Sequence, residues 1–509
     1  MINYVNNERK LGVVIGYLNF AVKMATQFLY VPIMLSILGQ SEYGVYQLVA
    51  SIISYLGLLN FGFGGAYLKF YAQCKDDSEE EAKLNGTFLF VFSIFSLLVL
   101  IIGILISLNA ETILGDKLTA NEISLSKVLL FILAINMALT FPTSVFSSIV
   151  SSREKFIFQK LVELLKNIAS PFLMILVLFI GKGSIGLVVI TTILTIISGI
   201  VNIWYVKEKI KAKFTFNGID IRLIKEIGAF SFFIFLNSII DQINWNVDKY
   251  LLGRMVGSIA IAIYSVGAQI NTIYMQVSDM TASVMATKVN LIVAEEKNPL
   301  YKLNILFRKV GRIQGCVILA VISGFYILGK DFIILWAGVD YLEAYYVTLL
   351  LIVPAAFPLI QSLGVDIQRA LNKHQIRSII YTGLSIANIL ISIPLISTFG
   401  ASGAALGTAV SLLIGNGLVM NIIYKNYIGL DIASFWKDVF PIIISSLIPT
   451  VMIGILNNYL VSVTWFNLII KGSLFLVIYF IAEYCLAMNK EEKDMISGML
   501  ILKRRGKSK

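Results

Sequence analysis

Apolar runs long enough to cross a bilayer recur from one end of this 509-residue chain to the other, and no other feature constrains the fold as strongly. A spanning helix needs about 20 largely apolar residues. Charged or Gly/Asn-rich breaks cut the chain into fourteen such segments, near 11–38, 44–70, 85–108, 126–150, 158–180, 185–206, 227–253, 258–286, 310–329, 343–365, 377–398, 402–424, 438–458 and 464–487. Only 14% of the residues are charged, against about 25% in soluble proteins, so the solvent for most of the surface is lipid. A barrel would show alternating segments of about ten residues; continuous runs predict an all-α polytopic membrane protein. The first run follows Arg9 and Lys10 as a signal peptide's would. It is too long, lacks a small-residue cleavage pattern and carries Lys23 near its middle, so it reads as a retained span.

The charge pattern orients these spans. The outer loops carry only Lys117, Lys182, Arg254 and Lys330, while nearly all the other lysines and arginines fall in inner loops and tails. That bias is what positive-inside insertion produces, with both termini cytoplasmic. The net charge of +11 is then a topological signal rather than a nucleic-acid signal, and the closing LKRRGKSK reads as an inner-leaflet anchor. Cys74, Cys316 and Cys485 are scattered, and His374 is the single histidine. This excludes a disulfide framework, a zinc site and most histidine chemistry; no cofactor is expected.

Several features return after 218 residues: Leu18-Asn19 as Leu236-Asn237, Gly39 and Tyr46 as Gly257 and Tyr264, and Lys155 as Lys373. Phe179-Ile180-Gly181 finds Thr398-Phe399-Gly400 one residue further on. A duplicated six-span unit accounts for these matches, and because six is even the two copies point the same way. Parallel repeats of this kind occur in secondary transporters, with the substrate site between the halves. The expected organisation is an N-lobe over 1–206 (spans 1–6), a cytoplasmic amphipathic connector over 207–226, a C-lobe over 227–424 (spans 7–12), and 425–509 with spans 13 and 14 and a basic tail.

Span 7 carries the most polar stretch, DQINWNVDKYLLG (241–253). Asn237, Asp241, Asn244 and Asp248 are spaced i, i+4, i+7, i+11 and form one helical stripe, flanked by Gln242 and Lys249. Asp241 lies roughly 21 Å along the span, near the bilayer centre. Charges there are costly and normally face a wet cavity or a partner. The repeat offset places Asp241 on Lys23 and Asn237 on Asn19, and Asn19, Lys23 and Gln27 form a second stripe on span 1. Two readings stay open for this pair: a salt bridge holding the lobes together, or a switch that grips substrate. Asp241 and Asp248 are the candidate ion-coupling carboxylates.

The stretches LGQSEYGVYQLV (38–49), NFGFGGAYLKFYA (60–72), DKYLLGRMVGSIAIAIYSVGAQI (248–270), FIILWAGVDYLEAY (332–345) and FGASGAALGTAVS (399–411) carry a resemblance over essentially the full length. The chain resembles the bacterial polysaccharide flippases, which move lipid-linked O-antigen or capsule repeat units. These belong to the multidrug/oligosaccharidyl-lipid/polysaccharide exporter superfamily. The resemblance implies two six-helix lobes forming a V around a cavity that opens alternately to each side. It implies a polyprenyl-diphosphate-linked glycan as substrate, with membrane lipids, a coupling proton or sodium ion, and a glycan polymerase and glycosyltransferases as partners, in the bacterial cytoplasmic (inner) membrane. The cavity set is then Asn19, Lys23, Gln27, Asn237, Asp241, Asn244, Asp248, Lys249, Arg254, Asn271 and Gln276. Cations would replace phosphate hydration and amides would meet sugar hydroxyls.

Lesser features have plainer readings. Arg153, Lys155, Arg369, Lys373 and Arg377 are topological by position, and their repeat symmetry also fits an electropositive cytoplasmic entrance. Glu163 and Lys166, spaced i, i+3, are expected to pair, and Lys471 and Glu483 to snorkel toward opposite faces. Gly181 to Gly186 matches G-x-G-x-x-G without the strand and acid a dinucleotide site needs, and no Walker loop is present. A drug/cation antiporter of the same superfamily would want a mainly acidic, aromatic cavity, against which Lys23 and Lys249 count. A membrane-embedded glycan polymerase or ligase would need a reactive outer loop, yet the longest, near 109–125, holds one lysine and no histidine.

Overall fold

In the lipid interior every backbone N–H and C=O must be satisfied within its own segment, which leaves helices as the way for such runs to fold. The computed structural model describes residues 2–60, 63–216, 221–373, 375–457, 459 and 462–494, and no strand occurs among them. The helices are α1 (Ile2–Leu56), α2 (Phe63–Cys74), α3 (Ser78–Leu108), α4 (Ala110–Leu114), α5 (Ala120–Ser152), α6 (Phe156–Phe179), α7 (Gly183–Tyr205) and α8 (Ile221–Met255). They continue with α9 (Ser258–Glu295), α10 (Leu300–Trp336), α11 (Ala344–Ile360), α12 (Ser362–Ala370), α13 (Gln375–Leu412), α14 (Met420–Ile423), α15 (Ile432–Asn457) and α16 (Trp465–Ala482). Large side chains such as Phe172, Phe179, Ile379 and Leu418 are exposed. Polar Asn85, Thr348, Gln368 and Ser392 are wholly buried, an arrangement suited to lipid outside and paired polar groups within.

Ten described helical stretches are long and apolar enough to cross a membrane, or eleven if the pair Ala344–Ile360 and Ser362–Ala370, bent by 41°, is one span. Fourteen were expected. Part of the difference is that two expected pairs each run as one stretch, Ile15–Cys74 and Gln375–Ile428. Both are kinked where a glycine takes left-handed backbone angles, Gly39 (φ 71) and Gly400 (φ 56).

Such positions recur along the chain. Positive φ occurs at Gly39 and Gly257, at Glu154 and Asn372, and at Lys211 and Gly429; the members of each pair are 218 residues apart. Single π-turns, Val206–Ile210 and Tyr424–Ile428, stand at the same interval. Gly181 and Gly400 also match, one residue further apart. The left-handed region costs an L-residue roughly 1–2 kcal/mol, so the backbone carries the periodicity noted in the sequence.

Tertiary contacts divide the chain into two compact units. The first comprises residues 1–265 and 396–401, the second 266–395 and 402–509. In the first unit, α1, α5, α6, α7 and α8 pack together. Residues after the π-turn at 206–210 lie on the start of α3: Thr215 N donates to Ala82 O at 3.0 Å and Asn85 Nδ2 to Lys213 O at 3.0 Å. Gly86 is required there, since a Cβ would sit 1.9 Å from Thr215 O. Residues 221–226 of the expected connector are the first turns of α8.

In the second unit α10 is the hub, with α11, α15 and α16 against it around Phe307, Leu359, Tyr424 and Phe435. Two expectations fail here. Lys471 is buried and paired with Asp331 at 3.1 Å, and Glu483 is buried and accepts from Ser445 Oγ at 2.6 Å. Neither snorkels, because each finds an internal partner and so avoids the cost of reaching for water. Arg312, also buried, is held by Glu492 Oε1 and Oε2, both at 2.8 Å, and by Ala487 O at 2.6 Å.

Candidate functional site

Helix α8 presents two polar faces inside the first unit. One is Gln242, Asn246 and Lys249, spaced i, i+4, i+7 and turned toward the part of α1 beyond Gly39. Lys249 Nζ donates to Gln47 Oε1 at 3.2 Å, and Ser54 Oγ donates to Gln242 Oε1 at 3.0 Å. The contacts are seven residues apart on each helix and run in opposite directions, so α1 and α8 are antiparallel here. The network continues: Gln47 Nε2 donates to the Tyr43 hydroxyl at 3.0 Å, and Asn246 Nδ2 to Gln242 Oε1 at 2.5 Å. The second face belongs to Asp248, which is 1% exposed and accepts from the Tyr264 hydroxyl at 2.6 Å. Tyr264 lies on α9, reached through the turn at Gly257 (φ 128).

Lys249 is half-buried, and among the described residues it forms no ion pair. An ammonium has three donors, and the amide of Gln47 takes one. A cation in a span without a carboxylate partner is normally turned to a wet path or an anionic ligand.

The other expected residues fall in several places. Asn237, Asp241 and Asn244 lie on α8, but their side chains are outside the described residues. Asn19 is buried against α6: its Nδ2 donates to Lys160 O at 2.9 Å and its Oδ1 accepts from Asn167 Nδ2 at 3.4 Å. Lys23, one turn on, is exposed, and Gln27 is half-buried. Glu163 pairs with Lys160 at 2.7 Å, not with Lys166 as expected; both partners lie i, i+3 from the acid, and only the Lys160 side carries it to the exposed end of α6. Arg254, exposed in the last turn of α8, donates to the Tyr250 hydroxyl at 3.3 Å.

In the second unit Asn271 is buried, with Nδ2 3.8 Å from Met275 Sδ and a buried Oδ1 without a hydrogen-bond partner; Gln276 is half-buried. The basic set at the expected entrance is engaged with protein groups. Arg153 donates to both oxygens of Glu81 at 2.6 Å, Lys373 to Tyr427 O at 2.7 Å, and Arg369 lies 3.7 Å from Asp366. Arg377 stacks over Tyr381 at 4.6 Å, and Lys155 is half-buried.

One junction escaped the sequence reading. Glu122, 9% exposed at the start of α5, accepts from Ser41 Oγ (2.6 Å), Thr119 N (2.8 Å), Thr119 Oγ1 (2.9 Å) and Ser258 Oγ. It thereby ties the kink of α1 and the first residue of α9 to α5. Gly44 admits Ser258 into contact, since a Cβ there would meet Ser258 O at 2.0 Å. Nearby Glu42 accepts from Ser184 N and Oγ at 2.6 and 2.7 Å, capping α7. The local signal was present, because Thr119-x-x-Glu122 before an apolar run is a capping box. Ser41 and Ser258 had none.

The profile of the polysaccharide biosynthesis protein family matches residues 13–287. A curated relative, the putative O-antigen transporter of Shigella flexneri, is 24% identical over 244 residues. The match covers 46% of this chain and 55% of the relative, so the chain aligns with about half its length. Among solved structures, lipid II flippase MurJ in an inward closed conformation superposes with a TM-score of 0.73 at 20% identity, covering 93% of this chain and 98% of that one. An inward-facing multidrug resistance MATE transporter gives 0.64 at 13% identity, covering 83% and 99%. At these identities the likeness establishes the fold.

Proposed function

Because the chain belongs to the polysaccharide biosynthesis protein family, a flippase branch of the multidrug/oligosaccharidyl-lipid/polysaccharide exporter superfamily, we propose that it carries polyprenyl-diphosphate-linked oligosaccharide repeat units from the inner to the outer leaflet. It is a multi-pass membrane transporter of flippase type rather than an enzyme. In our reading transport proceeds by alternating access driven by a proton or sodium gradient, in the bacterial inner membrane with both termini cytoplasmic. Asp248 and Asp241 are the coupling carboxylates.

The observation that carries this reading is Lys249, held in a membrane helix by a single neutral amide. A neutral or cationic cargo would gain nothing from such a group, whereas a diphosphate needs cations to replace its hydration. Gln242, Asn246 and Gln47 beside it offer the donor and acceptor pairs that sugar hydroxyls require. The lipid-linked cargo also agrees with the name of the Shigella flexneri relative and with the lipid II flippase fold.

The test is flipping of a diphosphate-linked, fluorescently tagged glycolipid in proteoliposomes with and without an imposed gradient. Gradient-stimulated transfer of the glycan to the far leaflet is expected. Export of cationic drugs with no glycolipid transfer would instead make the chain a drug/cation antiporter.

A further inference from the structure

Helices α1 and α6 run side by side in the same direction, and their register is pinned at both ends. Near the lower end Asn19 bonds to Lys160 and Asn167, 141 and 148 residues on. Beyond the upper end Glu42 bonds to Ser184, 142 residues on. Lys23 and Lys166 are 143 residues apart in sequence, so this register sets them at one height. Lys23 lies roughly 22 Å below the kink at Gly39, and Lys166 roughly 20 Å below the end of α6 at Phe179. Both also point toward the shared seam: Lys23 is one turn beyond Asn19 on the same face, and Lys166 adjoins Asn167, which bonds Asn19.

Two ammonium groups on neighbouring helices at one depth repel each other unless an anion lies with them. Among the described residues no carboxylate does. Glu163, the nearest along α6, is spent on Lys160 at 2.7 Å. Lys23 is exposed and Lys166 half-buried, so both are open to a ligand.

We infer that Lys23 and Lys166 together form a dianion subsite on the α1–α6 seam, and that Lys166 is a substrate-binding residue for the diphosphate of the lipid-linked cargo. This rests on the proposed flippase function. A single cation serves a monophosphate as well as a diphosphate; a pair at one height selects the more highly charged group. Lys166 therefore discriminates carrier-linked donors by their phosphate count.

Equilibrium binding to the purified full-length protein in detergent tests it, with farnesyl diphosphate, farnesyl monophosphate and inorganic pyrophosphate as probes. The wild type is expected to prefer farnesyl diphosphate over the monophosphate. Lys166→Gln and Lys23→Gln should each weaken diphosphate binding about tenfold or more and erase the preference. Lys166→Arg should retain it, and Lys160→Gln, whose lysine already has Glu163, should bind like wild type. If Lys166→Gln does not fold, Lys166→Met replaces it with the stem retained.

Diphosphate binding insensitive to Lys166 would overturn the subsite, as would pyrophosphate competing as strongly as its farnesyl ester, which would mark a free-anion site. Normal surface polysaccharide in a deletion strain would overturn the flippase function instead, and leaves the binding measurement readable on its own.

Discussion

The Tyr264 hydroxyl donates to Asp248 Oδ2 across 2.6 Å, joining α9 back to α8 on the two sides of the turn at Gly257. Both side chains are almost fully buried, at 3% and 1% exposure. A carboxylate this deep persists only where donors replace water. Removing the donor with Tyr264→Phe is expected to cost about 1–3 kcal/mol, read as a lower Tm of the detergent-solubilised protein. Asp248→Asn keeps the size and still accepts from Tyr264. It should preserve Tm and abolish the response of transport to an imposed gradient. An unchanged gradient response would remove Asp248 from coupling.

Lys249 and Gln47 separate a substrate contact from a structural seam. If Lys249 meets the cargo, Lys249→Ala should cut glycolipid flipping about tenfold or more, Lys249→Arg should keep part of it, and Gln47→Ala should cost little. Equal losses in Lys249→Ala and Gln47→Ala, with falling Tm in both, would assign the pair to packing alone. Initial flipping rates in proteoliposomes at matched protein amounts decide between these outcomes.

Glu122 holds four donors from three chain segments. Glu122→Ala should leave Ser41, Ser258 and the Thr119 amide unsatisfied and remove a capping box. A destabilisation of about 2 kcal/mol or more is expected. Gly44→Ala tests the same junction sterically: a Cβ 2.0 Å from Ser258 O has no flexible atom to displace, so even this smallest substitution should lower Tm or prevent accumulation in the membrane. A Gly44→Ala protein with wild-type Tm would show that the α1–α9 approach relaxes freely.

Arg312 and Glu492 set a pH dependence outside the spans. Burial pushes the Glu492 carboxyl up, but the Arg312 guanidinium and the Asn489 amide outweigh it and hold the group below its ordinary value. A carboxylate depressed in the folded state adds stability above its unfolded pKa, about 4.3. That stability is lost as pH falls through the folded value. Glu492→Gln should therefore lower Tm near neutrality and flatten the decline of Tm on acidification. Arg312→Met, which leaves the acid buried and unpaired, should cost more, about 3–5 kcal/mol.

What the sequence by itself determined is whatever a period or an offset along the chain can express. Span-length apolar runs require helices because lipid offers the backbone no other partner. The interval of 218 residues, legible in Gly39 and Gly257, returned in the backbone at Glu154 and Asn372 and at Lys211 and Gly429, where no shared side chain announced it. The polar load of α8 was legible as well, since charge in an apolar run stands out. Which face of α8 meets which neighbour was not: Gln242, Asn246 and Lys249 took α1, and Asp248 took Tyr264. Only the tertiary structure decided that Lys471 and Glu483 are sealed inside by Asp331 and Ser445, and that Glu122 gathers Ser41 and Ser258. The physical reason is that a buried charge is settled by the donor or acceptor that packing brings within about 3 Å, and such partners lie tens to hundreds of residues away with no local pattern to mark them.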